Sequence, residues 1–301
     1  MGKKVLCGYG LDVDAVSAWM MPREGGCCTD RTNMSRGVFG ATVGLDRVLK
    51  LFDKYNIKAT FFTPCHTLES FPAQLAKVRD AGHEIGMHGY THEFVSDLSE
   101  EQERDILAKC IDVITKFTGK KPRGWTAPAW TPSAKTVEIL EEAGILYDHS
   151  HMHHDCQPYW LPHKNTVTEI NLKMKAADWM KPMTALQPSK IIEIPANWHL
   201  DDWPPLNVGQ IVGQGFVDPD VVLKLWKRQF DFYYREYDSF IFPITCHPQV
   251  TGKAQVILMQ EEMIEYINSH EGVQWVPLEE MARQFRDGEL TGATVNGGVD
   301  L

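Results

Sequence analysis

Apolar runs and amphipathic stretches alternate along this chain, separated by polar residues, glycine and proline. Residues 5–9 form an apolar run of strand length. Over 43–55, Leu45, Val48, Leu49 and Phe52 fall on one face at helical spacing, which predicts a helix ending at Asn56. A strand is predicted at 59–62. Pro72 opens a helix that runs to Ala81, with Gly82 in the usual stop position, and 83–87 is the strand after it. Ser99-Glu100-Glu101-Gln102 reads as a capping box for a helix to about Phe117. Trp125 lies in a strand before Pro128, and a helix begins at Ser133 and stops at Gly144. Regularity is lost over 146–190. It returns as a strand at 191–195, a helix from Asp218 and Pro219 to Tyr237, a strand at 240–245, a helix ending near His270, a strand at 273–276 and a last helix to about Arg286.

Repetition of strand and helix implies an α/β fold with a parallel sheet, in which functional groups gather at the carboxyl ends of the strands. One domain is expected over residues 1–287, with an insertion at 146–190 near the mouth of the sheet and a flexible tail at 288–301.

The chemistry-bearing residues obey that rule. Asp12 and Asp14 follow the first apolar run, and His88 and His92 follow the strand at 83–87. Two imidazoles at i, i+4 in a helical turn would face the same way and could chelate one ion. A carboxylate and two imidazoles make an open three-ligand set for a catalytic Zn²⁺, so Asp14, His88 and His92 are the expected metal ligands and Asp12 the expected base. Co²⁺, Mn²⁺ or Ni²⁺ would also suit the site.

These residues resemble the motifs of the metal-dependent polysaccharide deacetylases, the NodB-homology carbohydrate esterases. The counterparts are Asp12-Val13-Asp14, the stretch from His88 to His92, Thr126-Ala127-Pro128 and Ile244-Thr245-Cys246-His247-Pro248. Tyr9-Gly10-Leu11-Asp12, Ser35-Arg36-Gly37 and Glu193-Ile194-Pro195-Ala196-Asn197-Trp198 bring it closer to the intracellular subgroup that includes peptidoglycan deacetylase-like proteins, cyclic imide hydrolases and allantoinases. The resemblance implies a distorted (β/α) barrel of about seven parallel strands, with His247 as general acid. It also implies a homo-oligomer, a dimer or tetramer. Thr126 stands where the family has the arginine that pairs with the base aspartate, and Arg36 is the expected substitute.

Further candidates line the expected mouth. Trp125, Trp130, Trp160, Trp198 and Trp203 would be aromatic walls for a sugar ring or a planar imide, with core packing as the alternative. Pro128 belongs to the third motif, and Asp201 or Asp202 would orient His247. His149, His151, His153, His154 and Asp155 form a histidine-rich stretch that would be a second metal site or, in the milder reading, place His151 against substrate.

Composition narrows the classes. The 301 residues are 43% hydrophobic and 23% charged, as in a soluble globular protein. No apolar run approaches the roughly 18 residues of a membrane span. A formal charge of −10 argues against nucleic acid and anionic membranes as partners. Seven cysteines at irregular spacing, including Cys27-Cys28, and no long apolar segment after Met1-Gly2-Lys3-Lys4 lead to an expected cytoplasmic location with reduced thiols.

The leading expectation is a metal-dependent hydrolase of non-peptide C–N bonds, similar to peptidoglycan N-acetylglucosamine deacetylases, acting on a saccharide or small-molecule amide. The alternatives are a cyclic imide or cyclic amide hydrolase, and a metal-less carbohydrate-binding protein.

Overall fold

The first strand, β1 (Lys4–Asp12), is buried along almost its whole length because it is paired on both edges. A computed structural model describes residues 2–20, 31–163, 167–208 and 217–296. The other strands are β2 (Thr60–Thr63), β3 (Glu84–Met87), β4 (Gly124–Trp125), β5 (Tyr147–Asp148), β6 (Tyr159–Pro162), β7 (Pro188–Glu193), β8 (Ser239–Cys246) and β9 (Val273–Trp275). They form one nine-stranded sheet ordered β6-β7-β5-β4-β3-β2-β1-β8, with β9 pairing the first half of β1. The strand pairings are parallel except that of β6 with β7, so the sheet is the expected parallel one, curled and extended by an antiparallel edge.

Side chains alternate across a strand, and here the alternation sorts residues into two cores. Val5, Cys7, Tyr9 and Leu11 of β1 face the helical layer, as do Phe61, Ile85, Met87, Trp125, Phe240, Phe242 and Ile244 from other strands. Leu6, Phe62, Tyr147, Ile192 and Ile241 face the inside of the curl, where Leu278, Met281 and Ala282 of the last helix (Leu278–Arg286) fill its lower end. Continuing the inward register upward from Leu6 passes Gly8 and Gly10 and reaches Asp12. A side chain at Gly8 would collide with Val276 and Met281, so the glycine lets the plug helix approach.

Most of the expected helices are present. The capping box is complete: Ser99 Oγ accepts from the Gln102 amide and Gln102 Oε1 from the Ser99 amide, and the helix Glu100–Thr118 ends at Gly119 in the left-handed region. The helices outside the predicted elements include short ones at Ala176–Trp179 and Trp203–Leu206 and two longer ones, Cys65–Ser70 and Arg31–Phe39. The second continues through a π-turn at Gly40–Gly44 into the predicted helix, observed as Leu45–Lys54. Its glycines explain why hydrophobic periodicity missed it, because it packs by close backbone approach. A Cβ at Gly37 would lie 2.6 Å from the Val16 nitrogen, and one at Gly44 would lie 2.2 Å from the Pro248 oxygen.

The irregular stretch 146–190 contains β5, β6 and the start of β7. These strands are too short for a periodic signal, and β5 is a member of the parallel sheet itself. Of the expected tail, residues up to 296 are described. Leu290 is buried and the Ala293 amide donates to the Pro158 oxygen at 2.8 Å. Cys27, Cys28 and residues 297–301 lie outside the described residues. No helix among the described residues is long and apolar enough to cross a membrane.

Candidate active site

Five of the expected residues converge at the carboxyl ends of β1, β3 and β8. Asp12 ends β1, with Asp14 two positions beyond it. His88 follows β3, and His247 follows β8. His88 and His247 continue the inward register of Gly86 and Thr245 just as Asp12 continues that of Leu6, so the period of two delivers all three side chains to one space. All are nearly sealed: Asp12 is 5% exposed, Asp14 1%, His88 1% and His247 7%.

His92 arrives by a different route from the helical turn expected. The 88–92 segment is a loop wound around Glu93, whose carboxylate accepts from the amides of Tyr90 (2.8 Å) and Thr91 (2.6 Å). Gly89 and His92 take left-handed backbone conformations to close it. The two imidazoles end up 4.9 Å apart, edge to face.

His88 Nδ1 lies 2.8 Å from the Thr126 carbonyl oxygen, which can only accept, so Nδ1 carries the hydrogen and Nε2 is left with its lone pair. That bare Nε2 faces Asp14 Oδ1 at 3.5 Å and Asp12 Oδ2 at 3.7 Å, and His92 Nε2 is 3.8 Å from Asp14 Oδ1. Three acceptors in this cluster, His88 Nε2, Asp14 Oδ1 and Asp12 Oδ1, are buried with no hydrogen-bond donor among the described residues. Buried acceptors left facing one another call for a cation between them. Burial, with His92 beside it, holds the His88 imidazole down to about 3, so His88 does not supply that cation by protonation. A divalent metal fits Asp14, His88 and His92, whose donor atoms lie within 4.8 Å of one another. The Thr126 carbonyl orients the ring of His88 in the way backbone carbonyls orient metal-binding histidines.

Thr126 does not restore the missing arginine, and neither does Arg36. The Arg36 guanidinium donates to Asn33 Oδ1, Asn207 Oδ1 and the Val208 oxygen and stacks on Trp19. It ties the helix Arg31–Phe39 to the 207–208 segment and makes no ion pair with Asp12. Among the described residues the cationic partner of Asp12 is His247, Nε2 to Oδ2 at 3.7 Å. Burial raises the Asp12 carboxyl well above its ordinary value, opposed by the charge of His247.

His247 is gripped from behind. Its Nδ1 is 2.7 Å from Asp202 Oδ1 and 3.5 Å from Asp201 Oδ1. Burial by itself would lower its basicity, but the carboxylates of Asp201 and Asp202 outweigh that and hold the imidazolium well above the ordinary histidine range. Asp202, fully buried, also accepts from the His247 amide and from Thr251 Oγ1. Asp201 accepts from the Trp203 amide at 2.8 Å, and burial raises its carboxyl to about 7. The closer orienting group is therefore Asp202, and Asp201 is its neighbour.

The expected walls divide by register. Trp125 sits on the outward face of β4, 2% exposed, and packs in the core. Trp160 packs on Phe285 at 5.5 Å, within the interior cluster. Trp130 and Trp198 meet at 4.3 Å, with Trp130 6.0 Å from His149, and Trp203 lies 4.8 Å from His247. These three remain as candidate walls. Pro128 is buried against Gly89 of the His88 loop.

The histidine-rich stretch does not converge on one centre. His149 points inward, donating from Nδ1 to the Ile194 oxygen and accepting from Thr245 Oγ1. His151 turns to Asp148 at 2.9 Å, His153 stacks on Tyr159, and His154 accepts amides of its own loop. His151 is 27% exposed and is held between the buried carboxylates of Asp148 and Glu193.

Comparison with known proteins accords with this geometry. A family model described as Polysaccharide deacetylase matches residues 39–147. The chain is 44% identical over 287 residues to the peptidoglycan deacetylase of Helicobacter pylori, covering 95% of this chain and 97% of that one. It is 35% identical to the peptidoglycan deacetylase-like protein FGM2 of Gibberella zeae, covering 94% and 87%. A crystal structure from Mycobacterium smegmatis assigned to the polysaccharide deacetylases superimposes with a TM-score of 0.79 at 28% identity, over 97% of this chain and 93% of that one. Neither the cyclic imide hydrolase nor the metal-less binding protein is favoured by these matches. By the near full-length identity to the first two relatives, the chain belongs to the polysaccharide deacetylase family of hydrolases.

Proposed function

We propose that this protein is a metal-dependent deacetylase that hydrolyses the N-acetyl group of an N-acetylglucosamine unit of peptidoglycan or of a related saccharide. One observation carries the reading: Asp14 Oδ1 and His88 Nε2, buried and without a partner among the described residues, face each other at 3.5 Å, and Asp12 Oδ2 lies 3.7 Å from both His88 Nε2 and His247 Nε2. The names of the relatives supply the substrate class.

Asp14, His88 and His92 would hold one divalent ion, Zn²⁺ or another metal that accepts nitrogen and oxygen donors, with a position left open. When bound, such an ion polarises the amide carbonyl and lowers the pKa of water at the site. Asp12 takes the proton as water attacks the carbonyl carbon. Its second oxygen, Oδ1, has no partner among the described residues and can accept it.

His247 supplies the acid. Because Asp202 Oδ1 takes the Nδ1 hydrogen, Nε2–H is the proton that faces Asp12 and the reacting space. When the C–N bond breaks, His247 delivers that proton to nitrogen, so an amine leaves and acetate remains. The carboxylates behind the ring keep the proton in place until then. Trp130, Trp198 and Trp203 offer faces on which a sugar ring can lie.

The test is acetate release from N-acetylglucosamine oligomers by protein stripped of metal and then reconstituted with Zn²⁺ or Co²⁺. Metal-dependent release is expected. Ring opening of succinimide without acetate release would replace this reading with a cyclic imide hydrolase.

A further inference from the structure

We propose that Gln249 is a positioning residue for Asp14, holding its carboxylate in the rotation that turns Oδ1 toward His88 and His92. The inference rests on the reading of Asp14, His88 and His92 as metal ligands.

Gln249 Nε2 donates to Asp14 Oδ2 at 3.3 Å. The other oxygen, Oδ1, is the one left without a donor, 3.5 Å from His88 Nε2 and 3.8 Å from His92 Nε2. Occupying one oxygen of a carboxylate leaves the other to bind alone. That favours coordination through a single atom and preserves the open position a substrate or water needs. The amide must present its NH₂ side, because its oxygen against a carboxylate would be repelled.

Folding alone gives no reason for a glutamine here. Among the described residues its Oε1 is buried without a partner, an unfavourable arrangement that an apolar side chain of similar size would avoid. The side chain is also confined. Gly40, in the π-turn, packs directly on it: a Cβ there would lie 2.9 Å from Gln249 Cβ and 3.0 Å from Oε1. Gln249 follows His247 by two residues in the short helix Pro248–Thr251, so one turn of chain carries both the acid and the group that aims the metal ligand. Loss of a hydrogen bond to a metal-binding carboxylate typically changes metal affinity by about 10–100-fold.

The experiment titrates metal-free wild type, Gln249→Met, Gly40→Ala and Asp14→Ala with Co²⁺, recording the visible absorption of the bound ion and the melting temperature of each metal-free protein. Wild type is expected to bind one Co²⁺ and Asp14→Ala none. Gln249→Met should bind about 10–100-fold more weakly with a shifted spectrum. Gly40→Ala, whose added methyl would meet Gln249 at its Cβ, Oε1 and backbone nitrogen, should shift affinity in the same direction. A wild-type dissociation constant and spectrum in Gln249→Met would overturn the proposal while leaving the metal site intact, as would a weakening that follows only the loss of melting temperature. Absence of Co²⁺ binding by wild type would remove the metal reading and this inference with it.

Discussion

Asp202 Oδ1 lies 2.7 Å from Nδ1 of His247, and the same carboxylate accepts the His247 backbone amide and the Thr251 hydroxyl. This fixes the ring orientation and the site of its transferable proton together. Asp202→Asn should therefore lower kcat by about 10²-fold or more, the scale of general-acid catalysis, with KM little changed. The sign of the pH effect follows from the electrostatics. Carboxylates raise the His247 value, so neutralising one lowers it, the acid loses its proton at lower pH, and the alkaline limb of the kcat profile moves down. An unmoved alkaline limb would show that His247 is not the acid.

Asp12→Asn should keep the proposed metal ligands in place while suppressing hydrolysis by about 10²-fold or more, because an amide cannot accept the proton that the proposed mechanism gives to Asp12. Metal content and single-turnover acetate release measured on the same preparation check this. Near-normal turnover would remove Asp12 from the base role.

Gly44→Ala tests the contact between the helix region 31–54 and the His247 loop. The added methyl would meet the Pro248 oxygen at 2.2 Å, a backbone atom one residue from His247. Overpacking of this kind costs about 1–3 kcal/mol. Chemical denaturation should show a loss of that size, accompanied by lower activity because the displaced segment carries His247, the proposed acid.

At the opposite end of the sheet, Glu84 accepts from Thr60, Tyr147 and the Glu279 amide, and burial raises its carboxyl from 4.5 to about 7. The folded state therefore binds this proton more tightly than the unfolded chain does. Between about pH 4.5 and 7 its contribution to stability falls as pH rises, and below the unfolded value it no longer changes. Glu84→Gln should flatten the stability slope across that window relative to wild type, measured by urea denaturation at pH 5 and pH 8. Parallel slopes would mean that Glu84 titrates normally.

What was legible in the sequence follows from which signals are local. Asp12, Asp14, His88 and His247 could be read because each ends an apolar run, and strand ends in a parallel sheet share one side. The same period of two would have excluded Trp125: its neighbours Gly124 and Thr126 take the inward register, and the indole faces the helices. Arg36 was misread because sequence shows a charge without its reach, and in the fold Asn207 and Val208 take it up. Asp202 over Asp201, and Gln249 beneath Asp14, depend on contacts made across 45 and 235 positions of chain, which no spacing rule encodes. The short strands β5 and β6 escaped for a related reason, since their pairing partners rather than their own patterns make them strands.

Metal stoichiometry beside acetate release, measured on wild type, Asp14→Ala and His88→Ala after stripping and reconstitution with Zn²⁺, tests whether Asp14 and His88 hold the ion that hydrolysis needs. One ion per chain and turnover are expected in wild type, with both lost in each variant. Retention of the ion and of activity by either variant would contradict that role.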